Sequence, residues 1–180
     1  MDKLLRQAKH EYTPRQRTIA FIFLAPIFLL ILPFALIWLG YKLDHWLHLP
    51  LIAYEPLNLI IGISLITLGW IFGIWSNYQQ FTIGRGTPVP LMATQKLIIQ
   101  PPYAYCRNPM ALGAIVMYLG VAVVIGSLGA LILVIFGAIA LLIYIKAFEE
   151  KEMISRFGND YLEYKEQTPF LIPRFGKQKK

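Results

Sequence analysis

Hydrophobic and polar positions in this chain fall into long blocks rather than into the short alternation of strands or surface helices. Thr18–Leu39, Leu57–Tyr78, Pro109–Ile125 and Leu128–Phe148 are predominantly apolar, and no charged residue lies between Arg107 and Lys146. Apolar runs of this order, at about 1.5 Å per helical residue, match roughly 30 Å of hydrocarbon. The pattern predicts an all-α integral membrane protein: four transmembrane helices over 18–39, 57–78, 109–125 and 128–148, with a cytoplasmic C-terminal interfacial helix. One membrane domain is expected over 1–180, its longest polar parts being 80–108 and 149–175.

Local signals refine each block. The first is too long for a signal-peptide core and lacks a small-residue cleavage site, so a retained span is expected. Pro26 and Pro33 should kink it. The connection Gly40–Pro56 carries Tyr41, His45, Trp46, His48 and Tyr54, rings that favour the headgroup level. His45 and His48 could share a helical face, but zinc needs more ligands than nearby Asp44 and Glu55 add, and an interfacial pair is the preferred reading. No metal site is expected.

Gly62, Gly69 and Gly73 form a small-residue stripe that allows close helix packing. Asn77 lies one turn beyond Gly73 and reads as a helix-end polar group in preference to a ligand-facing residue. Pro90, Pro101 and Pro102 keep the second connection from being one helix. Pro109 suits a first helical position. The Gly126-Ser127 turn is short enough to force its flanking helices into an antiparallel hairpin.

Composition supports this placement. The chain has 180 residues, of which 57% are hydrophobic and only 15% charged, against about 25% charged in soluble domains. The net charge of +7 would suggest nucleic acid in a soluble protein. Here the basic residues flank apolar blocks instead. With four spans, all of the 17 Lys and Arg except Lys42 fall on one side. That side is expected to be cytoplasmic, with both termini there. The tail repeats Met153, Phe157, Tyr161 and Tyr164 as an apolar-aromatic stripe suited to the interface, interrupted near Gly158-Asn159. Lys177–Lys180 reads as a basic end attracted to anionic lipid.

Candidate chemistry gathers on the basic side. Arg107, Asn108, Glu149, Glu150, Tyr103, Tyr105, Tyr161 and Arg174 all fall there. The hairpin returns Glu149 and Glu150 to the level of Arg107, since neighbouring helices lie about 8–10 Å apart. Two readings stand: an Arg107–glutamate pair pinning the hairpin, or a site for a small charged ligand. Lys146, four residues before Glu150, is a possible helical partner for it. Cys106 beside Arg107 has no evident base and reads as a packing residue. A site built this way would bind and orient, which suffices for methyl transfer from a sulfonium.

The ordered series Arg107-Asn108-Pro109-Met110, Gly113, Glu149-Glu150, Phe157-Gly158-x-x-Tyr161-x-x-Tyr164 and Pro173-Arg174 resembles the isoprenylcysteine carboxyl methyltransferase and phospholipid methyltransferase superfamily. Gly84–Pro88 matches the Gly-x-Gly-Thr-Pro stretch of its bacterial members, and the resemblance covers about 80–175. It implies S-adenosylmethionine as methyl donor and a lipid-like or prenylated acceptor at the cytoplasmic face, in a multi-pass protein of a bacterial inner membrane. The cofactor set it implies is Gly84, Gly86, Tyr103, Arg107, Asn108, Pro109, Gly113, Glu149 and Glu150, with Arg107, Tyr161 and Arg174 as catalytic residues. The chain departs from the family where Ala111 replaces a usual Tyr and Pro101-Pro102-Tyr103 replaces Gly-Pro-Tyr; the first bears on acceptor preference. The alternatives are a sterol-reductase-like NADPH enzyme, for which no phosphate cradle is evident, and a non-enzymatic membrane scaffold.

Overall fold

The computed structural model describes residues 13–52, 55–85 and 94–175. Seven α-helices occur among them, joined in places by π-helical turns. Helix α1 (Pro14–Pro26) opens on a Thr13 capping box and runs through a π turn at Ile27–Ile31 into α2 (Leu32–Leu47). Helix α3 (Leu57–Gln79) continues into a π turn at Gln80–Gly84. Helix α4 (Pro109–Val124) and α5 (Leu128–Tyr144) form the hairpin. A third π turn, Ile145–Glu149, leads to α6 (Glu150–Phe157), and α7 (Asn159–Gln167) follows the break at Gly158.

Three helical stretches among the described residues are long and apolar enough to cross a membrane: Thr18–Leu47, Leu57–Gly84 and Leu128–Phe157. This corrects the expectation of four transmembrane helices. The stretch expected as a third span is the 16-residue helix α4, about 24 Å long at 1.5 Å per residue and short of a hydrocarbon core. Arg107 is held inside the protein just before it, and Gly126 turns the chain just after it. The other stretches run past their expected ends, the first as far as Leu47 and the second through Gly84. Large apolar side chains point outward along them; Phe34, for example, is 73% exposed.

Glycines set the closest contact. A Cβ at Gly69 would fall 2.6 Å from Gly113 O, and one at Gly120 would fall 2.7 Å from Gly62 O. Helices α3 and α4 therefore meet backbone to backbone, the arrangement that small residues permit in membranes. At the end remote from Arg107, Asp44 is buried on α2 and accepts hydrogen bonds from Ser127 Oγ at 2.5 Å and Gly129 N at 2.6 Å. It satisfies one amide at the start of α5, where negative charge is favoured. Both its oxygens are engaged there, rather than in a group with His45 and His48.

The first π turn has a local cause. Leu32 N bonds to Ile27 O in π register; the next donor in that register, Pro33, has no N–H. The Tyr118 hydroxyl of α4 supplies the missing bond to Phe28 O at 2.7 Å. Expected aromatic lipid contacts in the tail are also revised. Tyr161 and Tyr164 on α7 are buried in the protein.

Candidate active site

Arg107 is the hub at which four segments meet. Its amide donates to Pro169 O at 2.8 Å, and its Nε to Thr168 O at 3.1 Å. Its Nη1 forms an ion pair with Glu150 Oε1, and the same nitrogen lies 3.5 Å from the Tyr161 hydroxyl. The two charged side chains are only 10% and 9% exposed. Lys165 Nζ reaches Glu150 Oε2 at 2.7 Å. Glu150 therefore takes Arg107 and Lys165 as its partners, not Lys146, whose ammonium lies over the Phe170 ring at 5.0 Å. The Arg107 guanidinium lies over the same ring at 5.4 Å.

Neighbouring groups fix this hub to the helices. Asn108 Nδ2 donates to Phe170 O at 2.9 Å, and Pro109 is buried at the first position of α4. Tyr103 is buried; its hydroxyl accepts from Gln80 Nε2 at 2.8 Å, and its carbonyl accepts from the Tyr164 hydroxyl at 2.7 Å. Gln79 Nε2 donates to Pro101 O at 2.9 Å. Burial pushes the Tyr103, Tyr161 and Tyr164 hydroxyls above their ordinary pKa, so all three are neutral phenols. Cys106 is fully buried, which pushes its thiol up to about 11, with a backbone bond at Asn108 opposing the shift. It is not a thiolate near neutral pH, which agrees with a packing role.

The expected site residues divide into groups. Tyr103, Arg107, Asn108, Glu150 and Tyr161 come together. Glu149 is partly buried beside them and makes no ion pair among the described residues. Arg174 is anchored by its amide to Tyr105 O at 3.0 Å, with its side chain exposed. Gly113 lies in the α3–α4 seam. Gly84 is buried: a Cβ there would fall 2.8 Å from Ile98 Cδ1, and its carbonyl accepts from Gln95 N and Lys96 N. Gly86 lies outside the described residues. A cavity of about 220 Å3 opens between Arg107, Lys165, Glu166, Thr168, Phe170 and Arg174. Sequence reasoning missed Lys165, Phe170 and Gln80. Lys165 and Phe170 carry no local signal, whereas the Gln79-Gln80 pair ending an apolar block was a visible one.

The geometry defines a helical membrane protein with a buried ion pair beside an open cavity at one end of its helices. The chain belongs to the phospholipid methyltransferase family, whose model matches residues 57–160. The methyltransferase resemblance read from the motif residues is thereby met, and with it the family cofactor, S-adenosylmethionine. Two relatives are methanethiol S-methyltransferases 1 and 2 of Bradyrhizobium diazoefficiens. The first is 27% identical over 72% of this chain and 48% of its own length. The second is 25% identical over 64% of this chain and 46% of its own length. The chain thus spans about half the length of the curated relatives it matches.

Proposed function

We propose that this chain transfers a methyl group from S-adenosylmethionine to a lipid-like acceptor at the membrane face that carries Arg107 and Glu150. The observation behind this reading is a buried, hydrogen-bonded ion pair at the rim of a cavity, beside outward-facing apolar surface. Ile172 and Phe175, on the segment that closes the cavity, are 79% and 72% exposed. Such residues suit the level where hydrocarbon meets headgroups, from which an amphiphile enters sideways. Although α4 is too short to count as a span, it still carries the chain from the Arg107 end to the Ser127–Asp44 end. The one-sided Lys and Arg distribution therefore does not depend on counting it, and supports a cytoplasmic orientation for this face.

When bound, S-adenosylmethionine supplies an electrophilic sulfonium methyl, which an acceptor lone pair takes as the carbon–sulfur bond breaks. The residues present suit such a donor. Arg107 Nη2 makes no hydrogen bond among the described residues, which leaves its N–H groups to donate to a carboxylate oxygen. Glu149, Asn108, Tyr103 and the backbone near Gly84 and Gly86 would hold the donor's other polar groups. Pro109 and Gly113 would wall the site. Glu150, Thr168 and Tyr161 fix the guanidinium, so its geometry is set before ligand arrives. Arg174 flanks the cavity and would meet the acceptor. Closure of the site by α7 and the following segment would exclude water.

A small thiol is the second reading, favoured by the two methanethiol S-methyltransferase relatives and by a cavity of only about 220 Å3. The deciding experiment supplies the purified protein in vesicles with methyl-labelled S-adenosylmethionine and, separately, phosphatidylethanolamine, a prenylcysteine analogue and methanethiol. Labelled lipid product supports the lipid reading. Label transferred to methanethiol alone replaces it with the thiol reading.

A further inference from the structure

The α3–α4 seam is closed at Gly62 and Gly69 and still in contact where Gly113 meets Gly73, but the side of Gly73 on which a Cβ would stand is free among the described residues. A Cβ added at Gly73 would meet nothing within 4 Å among the described residues, although the Gly73 amide nitrogen lies only 2.8 Å from where a Cβ on Gly113 would stand. An opening therefore begins beside Gly73. Helical spacing puts Asn77 one turn further along this face and Gln80 about a turn beyond, toward Arg107. Each has a buried carboxamide oxygen, Asn77 Oδ1 and Gln80 Oε1, with no hydrogen-bond partner among the described residues. Their nitrogens are engaged: Asn77 Nδ2 donates to Gly73 O at 3.0 Å, and Gln80 Nε2 to the Tyr103 hydroxyl at 2.8 Å. A buried polar atom left without a partner costs about 1–3 kcal/mol. Two of them on one helix face, next to an opening, are what a ligand with matching donors would satisfy.

We infer that Asn77 and Gln80 are ligand-binding residues and that the opening beside Gly73 takes the nucleoside end of the methyl donor. The inference rests on the reading of this chain as an S-adenosylmethionine enzyme. Carboxamide oxygens only accept, so the matching group must present N–H or O–H donors. A nucleoside presents them from its sugar hydroxyls and exocyclic amine. It carries no charge, and its flat base suits the free side of Gly73, where no side chain intervenes. The donor's amino-acid end carries a carboxylate, which two carboxamide oxygens would repel. Arg107, Lys165 and Arg174 are its chemical match instead.

The test is calorimetric titration of the full-length protein in detergent with S-adenosylhomocysteine and, separately, adenosine. Asn77→Ala and Gln80→Ala should each weaken both ligands roughly tenfold, as loss of a buried hydrogen bond implies. Gly73→Leu should fill the opening and remove binding of both. Its melting temperature without ligand should hold or rise, since the new side chain enters open space and glycine is a poor helix former. A purely structural role for this face predicts unchanged affinity in Gly73→Leu. Unchanged affinity in that variant and in Asn77→Ala overturns the assignment while leaving the methyltransferase reading intact. Loss of S-adenosylhomocysteine binding with adenosine unaffected overturns the nucleoside placement. Failure of the unaltered protein to bind S-adenosylhomocysteine overturns both readings.

Discussion

Arg107 ties the segments of the site together. Its planar fork meets Glu150, Thr168 O and the Tyr161 hydroxyl at once, and a lysine ammonium cannot reproduce those directions. Arg107→Lys should leave the protein folded and inserted but lower turnover at least roughly tenfold, equivalent to about 1.4 kcal/mol of transition-state stabilisation. Labelled-methyl transfer alongside a thermal melt checks this; near-normal turnover would reduce Arg107 to a charge that pins the hairpin. Glu150→Gln is a poorer probe, because it strands both Arg107 and Lys165, and breaking a buried pair costs about 3–5 kcal/mol. Cys106 gives a pH signature. Its thiol rises from an ordinary 9.0 to about 11 in the folded protein. Between those values the unfolded chain has lost a proton that the folded one keeps, so stability falls as pH rises through that window. Below about pH 9 the thiol contributes no slope. Unfolding midpoints should therefore drop more steeply from pH 9 to 11 in the unaltered protein than in Cys106→Ala, and parallel curves would contradict the burial of that thiol.

At the scale of elements, apolar blocks revealed where helices lie but not where they stop. Pro109 at the start of α4 and the Gly126-Ser127 turn were legible, because proline and glycine act through the backbone alone. The extent of α4 was legible as well, expected over 109–125 and found over Pro109–Val124; counting it as a full span was the error. Its apolar run has no charged residue to mark the level of a membrane face, and Arg107 before it is neutralised by Glu150, forty-three positions away. Tyr118 as the compensating donor at the first π turn was invisible for a similar reason, since it comes from another helix. Tyr118 is the case that can be measured. Its hydroxyl replaces the donor that Pro33 lacks, so Tyr118→Phe should destabilise the protein by about 1–2 kcal/mol, the upper range for interhelical hydrogen bonds in membranes. Denaturation in mixed micelles reads that loss, and a variant as stable as the parent would show that Phe28 O finds another donor.

Across the whole molecule the chain divides its polar chemistry between two ends. Asp44, Ser127 and Gly129 close one end structurally; Arg107, Glu150, Lys165 and the tyrosines build the other. The segregation of Lys and Arg was legible in the sequence, and it supports the orientation proposed for the site because α4, though short, still runs between the two ends. Reporters fused after Lys180 and inserted next to His48 should give opposite signals, the C-terminal one cytoplasmic; a C-terminal reporter on the far side would reverse the orientation. The motif cluster was also legible, since Arg107, Glu150 and Tyr161 do converge. Lys165 and Phe170 were not, because only the fold of α6 and α7 brings them back over Arg107. The central claim is that this end holds a methyl donor, and calorimetric titration of the unaltered protein with S-adenosylhomocysteine and with NADPH tests it most directly. Saturable binding of S-adenosylhomocysteine and none of NADPH is the predicted result; binding of NADPH without S-adenosylhomocysteine would contradict it.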